Sequence, residues 1–127
     1  MRALHRRQFV LAFALFALAR GRDARAADAP RVRFTFYYAF DCPHCKKAKP
    51  LVVELQKRHP ALHFEYWEVK KDKEGRRRFA REVKRLGIQD PGVPLFVCGD
   101  EYVLGWEPPK TARAVRRMIR RVTQPNR

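Results

Sequence analysis

From position 31 to about 123 the chain alternates short apolar runs with stretches of helical period. Residues 31–40 (RVRFTFYYAF) are aromatic and β-branched. From Val32 to Ala39 only Arg33 is unsuited to the inside of a sheet. This predicts a strand buried on both faces, at least from Phe34 onward, and therefore a central one. Asp41-Cys42-Pro43 then starts a helix, because a proline at the first helical position lacks an N–H that the helix cannot use anyway. That helix is expected to run to about His59 with Ala48, Val52 and Leu55 on one face, and Pro50 is expected to interrupt and bend it. Residues 62–69 (LHFEYWEV) set Leu62, Phe64 and Tyr66 against His63, Glu65 and Trp67, the alternation of a half-buried edge strand. Lys73 to Leu86 reads as a helix with Phe79, Val83 and Leu86 on its apolar face and Gly87 as its cap. Residues 93–98 (VPLFVC) and 101–104 (EYVL) flank Gly99-Asp100 as a hairpin. After Pro108-Pro109, a last helix lines up Val115, Met118, Ile119 and Val122. The order β-α-β-α-β-β-α implies an α/β fold with a four-stranded mixed sheet flanked by helices.

Residues 1–26 read differently. Arg2, His5, Arg6 and Arg7 precede an uncharged apolar run, Phe9 to Ala19, and Ala24-Arg25-Ala26 offers a small-x-small cleavage pattern. The run falls well short of the roughly 20 residues that span a bilayer. An export signal cleaved after Ala26 is expected, with residues 27–127 as a single domain. His5-Arg6-Arg7-Gln8-Phe9-Val10 resembles the bacterial twin-arginine motif, with an ordinary Sec signal as the alternative. Either route leads to an oxidising compartment, the periplasm.

The chain has 127 residues, 29 Lys and Arg against 13 Asp and Glu, and a formal charge of +16. Its 46% apolar content fits a packed globule and excludes a disordered basic tail. Three cysteines are too few for a disulfide scaffold. Two of them stand in Cys42-Pro43-His44-Cys45, where the buried strand hands over to a helix. Free backbone N–H groups and the positive end of the helix dipole favour a thiolate on Cys42, and the thiolate is the reactive form in disulfide exchange. Cys45, one turn in, is shielded and can attack only a mixed disulfide held on Cys42. Zinc uses Cys-x-x-Cys too, but only Cys98 and scattered histidines remain as further ligands, so no metal is expected. Cys98 itself reads as a small core or turn residue, with cross-linking as the alternative. His59 and His63, which flank Pro60, read as surface residues.

In element order and size, residues 31–123 resemble the thioredoxin superfamily. Three matches carry the resemblance: Cys42-Pro43-His44-Cys45 after the first strand, Pro50 five residues on, and Gly92-Val93-Pro94 opening the third strand. The Pro-His pair, and the valine before the proline, look like the DsbA-type periplasmic oxidases, without room for their inserted helical domain. The resemblance implies a thioredoxin fold and thiol–disulfide oxidoreductase activity with no cofactor. It implies Cys42 as nucleophile, Cys45 as resolver, Pro43 and His44 as residues that tune the site, and a cis Pro94 that frees Val93 to bind an extended client chain. Two departures stand out: Phe36 occupies the place of the family's buried acid, and Asp41 that of the tryptophan before the first cysteine. Glu65 and Glu68 are the candidates to replace the acid.

The basic residues gather on two helices, Lys73, Arg76, Arg77, Arg78, Arg81, Lys84 and Arg85 on one, and Lys110, Arg113, Arg116, Arg117, Arg120 and Arg121 on the other, with Lys70 and Lys71 just before the first. A solvated face explains them, as does an acidic protein partner or an anionic membrane surface. Nucleic-acid binding would explain the charge but neither the cysteine motif nor the signal. The expected function is therefore an exported oxidoreductase that passes the Cys42–Cys45 disulfide to cysteine-containing exported proteins and is recycled by a redox partner. The alternatives are a thioredoxin-type reductase and a basic binding module with a purely structural bridge.

Overall fold

The computed structural model describes residues 31–124, so the expected export segment, residues 1–26, lies outside the described residues. The elements are β1 (Arg33–Tyr38), α1 (Pro43–Arg58), β2 (His63–Glu68), α2 (Lys73–Leu86), β3 (Leu95–Cys98), β4 (Glu101–Leu104) and α3 (Lys110–Thr123). The sheet order is β2-β1-β3-β4. β1 runs parallel to β2 and antiparallel to β3, and β3 and β4 form the antiparallel hairpin. This is the mixed sheet that the hydrophobic pattern implies, with the doubly apolar strand inside and the alternating one at the edge.

Alternation along the inner strands sorts the core into two layers. Phe34, Phe36, Phe96 and Cys98 face α1 and α3, where they meet Ala48, Leu51, Val52 and Leu55 from α1 and Val115, Met118 and Ile119 from α3. Tyr37, Leu95 and Val97 face the other way, onto Ile88 and the partly buried Phe79, Val83 and Leu86 of α2. A fully buried side chain of this size contributes about 1.5–3 kcal/mol. The first layer holds most of them, so it carries most of the stability and fixes α1, the helix that bears the cysteines. In α2 only Gly75 is buried.

Two details differ from expectation. The ladder of β3 begins at Leu95 and not at Val93, because Pro94 has no N–H to give it. α1 passes through Pro50 as one helix and is not interrupted there. Pro50 and Lys46, whose carbonyl loses its partner, are both exposed, so water can satisfy that oxygen. A second cis peptide bond, Pro108–Pro109, was not foreseen in the sequence.

Candidate active site

Cys42 is the N-cap of α1, with extended backbone (φ −88°, ψ 112°). The Cys45 N–H donates to its Sγ at 3.2 Å. Pro43 occupies the first helical position and no acidic residue stands in the first turn. Most N-caps answer the free helical N–H groups with a side-chain oxygen. Here a sulfur takes that place, so the helix terminus points its positive end at the Cys42 sulfur. Cys42 is partly exposed, whereas Cys45 is 2% exposed beneath it. Burial, helped by the hydrogen bond with Cys42, pushes the Cys45 thiol up to about 12. The two cysteines, both free thiols, thus differ in access, one partly exposed and the other buried.

The Val93–Pro94 peptide is cis, as the resemblance implies. Pro94 is fully buried. The Val93 carbonyl faces Cys42, with 4.0 Å between oxygen and Sγ. Among the described residues the Val93 N–H has no partner within the chain. Sequence positions 42, 45, 93 and 94 therefore converge on one spot, from the tip of α1 and the start of β3. His44 is exposed and its side chain makes no hydrogen bond or ion pair among the described residues. Cys98 is not part of this site. It is fully buried beside Phe34, and burial pushes its thiol up to about 11. Among the described residues no cluster of three His, Cys, Asp or Glu could hold a metal ion.

Phe36 is buried within a ring cluster, with centroids 5.4 Å from Phe96, 5.6 Å from Tyr38 and 6.1 Å from Tyr66. Neither candidate acid replaces the carboxylate expected at that position. Glu65 accepts from Trp67 Nε1 and pairs with Arg33 and His63. Glu68 turns to the backbone: its carboxylate accepts from the N–H groups of Phe40, Lys70, Lys71 and Asp72 at 3.2, 2.9, 2.5 and 2.9 Å. Glu68 thus ties the segment just before Cys42 to the loop that opens α2. Desolvation would raise its pKa, but the four donors overcome it and bring the group from 4.5 down to about 2.

Because the folded value is depressed, the stability Glu68 contributes is present above about pH 4.5 and is lost as pH falls toward 2. Glu68→Gln should lower the melting temperature at pH 7, since an amide leaves some of these donors facing its own N–H2. It should also flatten the decline between pH 4.5 and 2. Thermal unfolding across that range checks this, and parallel wild-type and variant curves would contradict it.

A further contact was missed in the sequence. A Cβ on Gly75, in the first turn of α2, would lie 1.9 Å from the Glu68 carbonyl oxygen. The signal for it was a glycine inside a helical pattern, which costs about 1 kcal/mol relative to alanine and so asks for a packing reason.

No protein-family model matches the chain, and neither does any curated protein. Solved structures do match. Thioredoxin from Fasciola hepatica is 19% identical with a TM-score of 0.52, over 74% of this chain and 86% of that one. A mutant thioredoxin from Halobacterium salinarum NRC-1 is 21% identical with a TM-score of 0.54, over 74% and 76%. The oxidised thioredoxin of Plasmodium falciparum is 18% identical with a TM-score of 0.52, over 72% and 80%. At such identities the likeness concerns the fold alone, and the fold is that of thioredoxin.

Proposed function

We propose that this thioredoxin-fold chain is an exported thiol–disulfide oxidoreductase that works as an oxidant of client cysteines. One observation carries the reading: a partly exposed sulfur at a helix N-cap accepts the Cys45 N–H at 3.2 Å, with Cys45 buried behind it. Such a site stabilises a thiolate on Cys42, hence the dithiol state, and so makes the disulfide an acceptor of electrons.

In the forward step a client thiolate attacks the Cys42 sulfur of the Cys42–Cys45 disulfide. The S–S bond breaks and its electron pair leaves on Cys45, which takes a proton. A second client thiolate attacks the client sulfur of the mixed disulfide. Cys42 leaves as a thiolate at the helix tip. The client loses two electrons, the pair gains them, and a redox partner must remove them again. Val93 offers its carbonyl and N–H to the client backbone, Pro94 holds that segment, and Pro43 and His44 set the environment of Cys42. No cofactor is needed for these steps.

Acid quenching and thiol labelling of the chain expressed in a bacterium test direction and location together. The exported wild type should hold Cys42 and Cys45 mainly as a disulfide. Arg6→Lys with Arg7→Lys should stay inside with both thiols reduced, because the twin-arginine route reads the guanidinium pair. An exported chain with a reduced pair would favour the reductase, and unchanged export of the double variant would mean a Sec signal.

A further inference from the structure

The basic residues among the described residues divide into those that meet a carboxylate and those that do not. On α2 and α3 many arginines meet carboxylates: Arg78 and Arg81 on Glu74, Arg85 on Glu82 and Asp100, Arg116 on Glu54, Arg121 on Glu101. On the same helices Lys73, Arg76, Lys84, Arg113, Arg117 and Arg120 have no ion-pair partner among the described residues, and beside Cys42 the unanswered cations are lysines. Lys46 and Lys47, on α1 within a turn of Cys45, are exposed and have no ion-pair partner among the described residues. Lys71 meets no carboxylate there either. Its Nζ lies 3.7 Å from the ring centroid of Phe40, two residues before Cys42, and that ring is 44% exposed. Asp41 is bound to Lys70. The carboxylate of Glu68 is taken up by four backbone N–H groups. The first turn of α1, where an acid would be favoured, has none.

The segments on either side of Cys42 therefore carry three lysines without a carboxylate partner, a positive rim along the chain, and one exposed aromatic ring. Positive charge gathered beside a reactive group raises the local concentration of anionic partners, and salt removes the effect. We propose that this rim selects protein clients whose cysteine is flanked by Asp or Glu. Lys46, Lys47 and Lys71 meet the carboxylates, and the Phe40 ring meets an apolar side chain between them. This rests on the oxidoreductase reading, and deepens it by naming the class of client.

Three peptides of equal length test it, each with one cysteine joined as a disulfide to thionitrobenzoate, flanked by four Glu, four Ser or four Lys. The purified, reduced full chain is mixed with each. Cys42 attacks the peptide sulfur and thionitrobenzoate leaves with the electron pair, which colours the solution. Cys45 then attacks Cys42 and frees the peptide thiol, so two electrons pass from the cysteine pair to the two products. Each rate is divided by that peptide's own rate with dithiothreitol, which cancels differences in intrinsic reactivity. At about 20 mM salt the Glu peptide should react at least tenfold faster than the Lys peptide. Near 1 M salt, where the screening length is about 3 Å, the ratio should fall toward one. Lys46→Glu with Lys71→Glu should abolish or invert the ratio, a readout that does not depend on the absolute reactivity of Cys42. Equal normalised rates for the three peptides would overturn this inference alone. So would a rim that ignores peptide charge but is blocked by phosphatidylglycerol vesicles, which would assign the lysines to a lipid surface. Absence of release from every peptide would overturn the exchange reading as well.

Discussion

Cys45→Ala should accumulate mixed disulfides between Cys42 and client proteins, at least tenfold over the wild-type level, whereas Cys42→Ala should trap few. In the wild type the second thiol is held one helical turn from the first, and a positioned group within one molecule reaches effective molarities of about 10⁵ M or more. A mixed disulfide on Cys42 is therefore short-lived. Without Cys45 it must await an external thiol. The reverse variant differs because Cys45 is 2% exposed and its thiol, pushed up mainly by burial, is almost wholly protonated at neutral pH. It lacks both access and the reactive form. Non-reducing electrophoresis after acid quenching reads the outcome. Equal trapping by both variants would contradict the assignment of nucleophile and resolver.

Gly75→Ala should lower the melting temperature by about 10 °C. Two effects oppose each other. Replacing glycine inside a helix ordinarily stabilises by about 0.5–1 kcal/mol. Here the added Cβ would stand 1.9 Å from the Glu68 carbonyl oxygen and 2.9 Å from its carbon. Both are backbone atoms of an edge strand, so no side-chain rotation relieves the clash. Overpacking commonly costs about 1–3 kcal/mol, and a contact this short belongs at or above the upper end. The net loss is about 2 kcal/mol, and each kcal/mol moves a domain of this size by about 4–8 °C. Because the Glu68 side chain also holds the Phe40 N–H, the displacement should reach the segment before Cys42. Thermal unfolding of the variant is the check, with Gly87→Ala as comparison, since that position has open space and only its positive φ of 65° to oppose a side chain. An unchanged or higher melting temperature for Gly75→Ala would contradict the close approach.

What could be read in the chain, and what could not, divides along the range of the interaction. The two-faced burial of Phe34 to Tyr37 follows from the run itself, and so does the edge position of the alternating segment around Phe64 and Tyr66. The helix from Lys73 to Leu86 agrees with its pattern because its cap and its stop, Asp72 and Gly87, are local. Cys42 and Cys45 were legible because a Cys-x-x-Cys at a strand-to-helix junction defines its own geometry. The approach of Val93 followed only from resemblance, since 51 residues separate it from Cys42. Glu68 and Gly75 were not legible. Their roles depend on the parallel register that sets Tyr38 opposite Glu68, and a sequence does not state which strands lie side by side. The same register decides the fate of the candidate acids. It brings Glu68 to the N–H of Phe40, and it leaves Phe36 among rings with no carboxylate in its place.

That arrangement bears on the direction of electron flow. A buried carboxylate near the cysteines would oppose a thiolate, and Phe36 supplies none. The Cys45 N–H and the positive end of α1 both point at the Cys42 sulfur. The reduction potential of the Cys42–Cys45 pair, titrated in glutathione buffers, tests this most directly. Reference values are about −270 mV for thioredoxin and about −120 mV for DsbA, and 30 mV corresponds to about 1.4 kcal/mol. An oxidising site should titrate on the DsbA side of their midpoint, above about −195 mV on that scale. A value near about −270 mV would contradict the oxidant and leave a reductase in its place.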